Sequence, residues 1–457
     1  MPKYTDLEVK RYDDKKKNIV RIILIIVLLF VGVGGITYGL YLYINKDVKR
    51  EAGVYSVEFP NSNEDGPYNE NLVLNYYVDD SGGTDANEKF NAVSSYAALE
   101  ASEIYKSIDS YTAYTDSEGN YNFYNIRALN DPKNLNQKIP ISSRLSRILK
   151  DAYQKSCTSD SYNLFSGYLH YVWYYLIPGE NEDTDPYYNP EMKKTVADAV
   201  EVCNKDFYSL DFSEEDLGNG FTQNYVKFSI SEEGLALYEE KKDLQEYLDA
   251  SYGSTFTPYI DLNVLFDAYY LDALASALRK AGYTKGILST YTGSRIALGD
   301  ADEAFAYSVP FYTYDSLYRT FPFGSLQTKS AFVCSSIRSF PYYTYEADYV
   351  YDDFLEEGKR HSYSLCYSWS TGYSSMSKRN STLYSSGSNA SLAELTLMNL
   401  GLVLDEGARA EDYAGCGYDY GVVFENDYHV LHASSGFGSL FKKDGNLLSG
   451  YSVDIVK

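Results

Sequence analysis

The chain has 457 residues but only five cysteines, four histidines, two tryptophans and 40 basic residues against 64 acidic ones. No two cysteines stand in a Cys-x-x-Cys pair, so neither a zinc ribbon nor a dithiol redox motif is supported. The odd count leaves at least one thiol unpaired within a monomer. His429 and His432 form the one His-x-x-His. They fall in a segment predicted to be a strand, where such spacing points side chains to opposite faces. His170 sits among aromatics and reads as packed rather than catalytic. Gly-x-Ser-x-Gly, a phosphate-binding glycine loop and a dinucleotide fingerprint are all missing. Ten of the basic residues lie in the first fifty positions, with five acidic ones, which leaves residues 51–457 at net −29. A surface so acidic repels nucleic acid and anionic lipid and excludes both as partners of that region.

One long apolar run is present. Ile22 to Ile44 carries no charge and is long enough to cross a hydrocarbon core of about 30 Å. Lys3, Lys10, Arg11, Lys15, Lys16, Lys17 and Arg21 precede it, and Lys46, Lys49 and Arg50 follow. The positive-inside bias therefore predicts a single-pass signal anchor in the cell membrane, with the amino terminus cytoplasmic and the main domain extracytoplasmic. Its apolar run exceeds the ~7–15 residues of a cleaved signal peptide. The expected organisation is a cytoplasmic basic segment over 1–21, the membrane helix over 22–44, a tether over 45–67 and an ectodomain over 68–457. Gly35 and Gly39 give a small-xxx-small face through which two such helices can form a homodimer.

Within the ectodomain, periodicity predicts a strand at Leu72 to Tyr77 and a helix from Glu88 to Ile108 with Phe90, Val93, Ala97, Ile104 and Ile108 inward. Further helices are expected at Ser143 to Lys155 and after Asp261, where Val264, Ala268, Leu271, Ala275 and Leu278 share a face and Gly282 supplies the stop. Strands follow at Tyr225 to Ile230 and Gly286 to Thr290. Ser391 and Glu394 make a capping-box pattern ahead of an apolar helix that stops at Gly401. A hairpin closes the chain, with strands at Gly421 to Phe424 and Tyr428 to Ala433. Helices mixed with hairpin-connected strands predict an α+β fold with largely antiparallel strands. A charged stretch, 231–250, reads as a helical insertion. The 51 tyrosines include dense runs at Tyr168 to Tyr175 and Tyr342 to Tyr351, which suit strands and core packing or, alternatively, a platform for a glycan or protein partner. Cys334 and Cys366 lie in two alternating segments, and a disulfide between them is the first expectation.

The stretch Asp261 to Gly299 keeps a distinctive frame. Asp261, Leu262, Tyr269 and Asp272 stand in register with the Asp-Leu-Gly-Gly-Ile-Ala-Lys-Gly-Tyr-Ala-Ala-Asp pattern of the FAD:protein FMN transferases, which move FMN from FAD onto a protein threonine or serine. The chain resembles that family over roughly Leu72 to Phe437. Asn130 in YNIRALN, Trp173 in LHYVW, Val333 to Ser336, and Thr371 and Gly372 in SWSTG recur in the family's order. The resemblance implies a flavin-transferase-like domain with FAD near Asn130, Asp261, Tyr269, Gly293, Thr371 and Gly372. Yet the paired glycines are Asn263 and Val264, and the lysine with its following glycine is Asp267 and Ala268. The histidine position is Leu365, with His361 four residues upstream, and the aspartate-proline pair is Ser368 and Trp369. Family members hold magnesium with an Asp and a Thr four residues apart, and those places are Ser391 and Leu395. Leucine offers no oxygen and serine a poor one, so magnesium is not expected, and neither a catalytic nor a metal residue is assigned. The expectation is a binding or scaffolding pseudoenzyme. The alternative is a divergent magnesium-dependent transferase using Asp267 or Thr396.

Overall fold

The computed structural model describes residues 52–59, 72–79, 85–176, 189–241, 246, 257–290, 293–300, 306–314, 320–338, 355–356, 359–360, 366–373, 381–387, 390–405, 420–425, 430–434, 441–443 and 452–456. Among these no helix is long and apolar enough to cross a membrane, and the expected anchor at 22–44 lies outside them. The Gly35–Gly39 face, the Tyr342 to Tyr351 run, His361, Leu365 and His429 also lie outside. By its contacts the chain divides into one unit of residues 1–52 with 80–88 and a second of residues 53–79 with 89–457. Only residues 52 and 85–88 of the first are described. All that follows belongs to the second, apart from residues 86–88 at the start of one helix.

Its architecture is mixed α+β with antiparallel sheets. Among the described residues the main sheet has nine strands whose spatial order is their chain order: Gly53–Phe59, Leu72–Val78, Gly286–Thr290, Arg295–Ala297, Val333–Arg338, Ser381–Gly387, Tyr420–Glu425, Val430–Ser434 and Ser452–Val456. Each neighbouring pair is antiparallel except the last, Val430–Ser434 with Ser452–Val456. Gly53–Phe59 lies within the segment read as a tether; it pairs from Gly53↔Val78 to Phe59↔Leu72. Leu72, Leu74, Tyr76 and Val78 alternate inward, the period-two pattern a strand with one covered face requires.

Between the second and third strands the chain inserts every described helix except Leu392–Leu404, which follows the sixth strand, together with a smaller sheet ordered Lys138–Ile141, Phe221–Ile230, Tyr208–Gly218. Helix Ala86–Ile108 buries Phe90, Val93, Ala97, Ala101, Ile104 and Ile108 on one stripe. Helix Ser143–Thr158 starts at Ser142, whose hydroxyl accepts from the Leu145 N–H. The tyrosine run forms a helix, Gly167–Leu176, rather than a strand, and Tyr168, Leu169, Tyr171, Val172 and Trp173 are buried together with Met192 and Val196 of helix Pro190–Val202. A segment covered on several sides loses the amphipathic signature by which a helix is recognised. In the region read as an insertion, Ser231 caps helix Glu232–Glu240.

Helix Phe266–Lys280 runs from a single 3-10 turn, Asn263–Leu265, and carries Arg279 and Lys280 at its C-terminal end, where cations suit the helix dipole. It packs against helix Leu392–Leu404, which begins with the expected capping box: the Ser391 hydroxyl accepts from the Glu394 N–H, and the Glu394 carboxylate accepts from the Ser391 N–H. The disulfide expectation is corrected. Cys334 and Cys366 are buried and not joined by a disulfide, and the strand holding Cys334 pairs at that position with Arg295 and Ser386, not with the segment of Cys366. Burial pushes the Cys334 thiol up to about 12.

Candidate functional site

Asn130 ends the short helix Ile126–Leu129, itself capped by Asn125. Its side chain is fully buried and clasps one distant peptide from both sides: Nδ2 donates to the Ile260 carbonyl at 2.9 Å, and Oδ1 accepts from the Ile260 N–H at 2.8 Å. This fixes the backbone next to Asp261, which is equally buried. The Asp261 N–H donates to the Leu164 carbonyl at 3.0 Å, and its Oδ1 accepts from the Asn263 N–H at 2.7 Å.

Asn263 adopts φ 52°, the left-handed region that favours glycine. Its Nδ2 donates to the Asn163 carbonyl at 3.1 Å and the Ser166 hydroxyl at 2.9 Å, and Ser166 donates onward to the Asn163 carbonyl at 2.7 Å. The amide thus fills the space that a glycine would leave beside this turn. Packing here is tight, since a Cβ on Gly167 would fall 2.2 Å from the Pro258 carbonyl oxygen and 2.9 Å from the Asp261 Cβ. Burial, with Asp261 adding to it, holds the hydroxyls of Tyr162 and Tyr367 well above the usual phenol range, so both stay protonated. The buried ring of His170 is driven down to about 3 by desolvation and is neutral at physiological pH.

The structure brings Asn130 and Asp261 together through Ile260 and sends the other sequence-selected residues elsewhere. Gly372, at φ 82°, gives its carbonyl to the Trp173 indole N–H at 2.6 Å and its own N–H to the Ser368 carbonyl at 2.7 Å, while Thr371 beside it is exposed. A Cβ on Gly372 would meet Val196 at 2.6 Å, so this pair locks the loop onto two helices. Gly293, at φ 105°, turns the chain between two sheet strands, and its carbonyl accepts from Arg295. Ser391 is the helix cap described above, Leu395 is buried, and the Thr396 hydroxyl pairs with Ser335 at 2.8 Å. Among the described residues no three His, Cys, Asp or Glu side chains are grouped so as to hold a metal ion.

Tyr269 and Asp272 face a different place, a cavity of about 460 Å³ between helices Ser143–Thr158, Phe266–Lys280 and the start of Leu392–Leu404. Arg144, Arg147, Asp151, Arg279 and Lys280 also line it, with Tyr96, Ser276 and Ser391 among the neutral groups. Several of these are committed. Tyr96 donates to the Ala277 carbonyl at 3.4 Å, Tyr269 to Asp151 at 2.8 Å, and Arg279 to the carbonyls of Leu298 and Ala297 at 2.8 and 2.9 Å. Asp151 also takes Lys155 on both oxygens, and Arg144 pairs with Glu100. Sequence reasoning missed this cavity. Its signal is the polar spacing Tyr269, Asp272, Ser276, Lys280 on the side of the helix away from the apolar stripe, facing Arg144, Arg147 and Asp151 at three- and four-residue intervals.

Asp272 caps the neighbouring helix in trans, its Oδ1 accepting from the Leu392 N–H at 3.0 Å and its Oδ2 from the Ala393 N–H at 3.1 Å. Desolvation nonetheless raises its carboxyl to about 6, the two amide bonds and Arg279 offsetting only part of that cost and Glu394 adding to it. A carboxyl raised on folding contributes stability that is full below its unfolded value near 3.8 and lost as the pH climbs through about 6. Asp272→Asn should therefore gain on the parent chain by on the order of 2 kcal/mol between pH 4 and pH 7. Paired thermal melts across that window test this, and a constant difference would refute it.

The chain matches no model of a known protein family and no curated protein.

Proposed function

We propose that the chain is a membrane-anchored, extracytoplasmic binding domain of flavin-transferase-like architecture that does not transfer FMN. The observation that carries this reading is Asn263. It adopts the left-handed backbone that favours glycine, at a position where the family pattern has glycine, and directs its side chain to Asn163 and Ser166. A diphosphate needs bare amide N–H groups at close range. Here the Asn263 N–H is turned onto Asp261, and its side chain closes the approach. The metal positions fit no better, because Ser391 caps its helix and Leu395 is buried apolar surface. Asn130 and Asp261, which the resemblance would place beside FAD, serve instead to brace the polypeptide.

Anchoring rests on the apolar run at 22–44, and homodimerisation through Gly35 and Gly39 and a protein or glycan partner belong to the same reading. The test is to incubate the detergent-purified full-length chain with FAD, magnesium and a peptide carrying a Ser/Thr-Gly-Ala-Ser/Thr core, then read covalent flavin fluorescence on a denaturing gel. No labelled peptide is expected. Robust labelling would overturn the proposal.

A further inference from the structure

The cavity beside Asp272 concentrates cations on a chain that is otherwise strongly acidic. Arg144, Arg147, Arg279 and Lys280 converge there against two carboxylates, Asp151 and Asp272. The two carboxylates are already answered, Asp151 by Lys155 and the Tyr269 hydroxyl and Asp272 by two amides at a helix start. Of the cations, Arg144 is held by Glu100 and Arg279 by two backbone carbonyls. Arg147 and Lys280 are exposed; the Arg147 Nε–H donates to the Ser143 carbonyl at 3.4 Å, which leaves its two terminal nitrogens for a ligand, and among the described residues no carboxylate pairs with either cation. They come from two different helices, Ser143–Thr158 and Phe266–Lys280, and both line the cavity. The amides at the start of Leu392–Leu404 are taken by Asp272 and Ser391. A ligand's charge must then be met by Arg147 and Lys280.

Two cations that line one cavity from different helices suit a compact dianion. A phosphate monoester carries between −1.5 and −2 charges near neutrality, on oxygens that suit an arginine fork on one side and an ammonium on the other. The remaining lining includes the apolar and aromatic side chains Tyr96, Tyr269, Ile148, Ala273, Ala277 and Val333. The volume lies within the ~300–1,000 Å³ of small-molecule sites. We infer that this cavity binds a small organic phosphate, its phosphate between Arg147 and Lys280 and its body against the tyrosines. The inference is independent of the transfer reading, because it uses neither Asp261 nor Asn263.

Phenyl phosphate is the probe, titrated calorimetrically into the detergent-purified full-length chain, with phenol as the uncharged comparison. Saturable binding is expected, with Kd raised about tenfold or more in Arg147→Gln and again in Lys280→Gln, and with phenol weaker by at least the same factor. Both positions are exposed, so melting temperatures should match the parent and show that the variants are folded. Absence of saturable phenyl phosphate binding, equal binding of phenol, or an unchanged Kd in the double variant would each overturn the inference. Covalent flavin labelling is read separately, so the two proposals fail independently.

Discussion

Asn130→Ala is expected to lower the unfolding free energy by about 2–5 kcal/mol, because one substitution strips two partners from one buried peptide. The Ile260 N–H and carbonyl both end on this side chain, across 130 residues of sequence, at a place with no measurable exposure. Alanine leaves both groups without water or a replacement partner, and each orphaned group costs about 1–3 kcal/mol. Asn130→Asp separates the two bonds: it can still accept from the Ile260 N–H but turns an anion on the carbonyl, so it should be no milder. Urea denaturation reads the effect as a lowered midpoint at constant slope. A loss under about 1 kcal/mol would mean that the clasp is incidental.

Gly167→Ala should be at least as damaging, at about 3 kcal/mol or more, since overpacking of this kind cannot be relieved by a side-chain rotation. The added carbon would lie 2.2 Å from the Pro258 carbonyl oxygen, which is backbone, and 2.9 Å from Asp261. To make room, the start of helix Gly167–Leu176 must draw away from residues 258–261, pulling on the Asp261 to Leu164 hydrogen bond. Gly119→Ala is the control. It sits at φ 82° with nothing within 4 Å of where the new methyl would stand, so only the left-handed backbone penalty of about 1–2 kcal/mol applies. If the two variants melt alike, close packing at Gly167 is not what constrains that junction.

The elements most legible in the sequence are those whose local signal and tertiary role agree. Phe90, Val93, Ala97, Ile104 and Ile108 repeat at helical spacing because one face of that helix is covered. Ser391 and Glu394 announce a helix start because capping is a contact over three residues. Asn263 was identifiable as a departure from a glycine pattern, but not its φ or its grip on Asn163 and Ser166, which lie about a hundred residues away. The Tyr168 to Tyr175 run reads correctly as core and wrongly as strand, for the opposite reason. Aromatic residues favour strands until burial from several sides overrides that preference. The strand Gly53–Phe59 was hidden by its partner, since its outer residues are exposed and its order comes from Leu72–Val78. The cavity escaped because its walls come from helices more than a hundred residues apart, and nothing local records that Arg147 and Lys280 face the same space.

Asp79 closes the strand Leu72–Val78 and is paired at 2.6 Å with both Lys89 and Lys285, the latter 206 residues further on and directly before Gly286–Thr290. The chain therefore leaves the main sheet and re-enters it at one fastened point. Loop closure over so long a span must be met before the second and third strands, Leu72–Val78 and Gly286–Thr290, can pair. Refolding should then proceed in an imposed sequence, with the inserted helices and small sheet collapsing first and the first two strands joining the rest of the main sheet late. Until that junction forms, Leu72–Val78 and Gly286–Thr290 are unpaired edges, which makes this the stage at which a slow-folding chain is most exposed to association with its own copies.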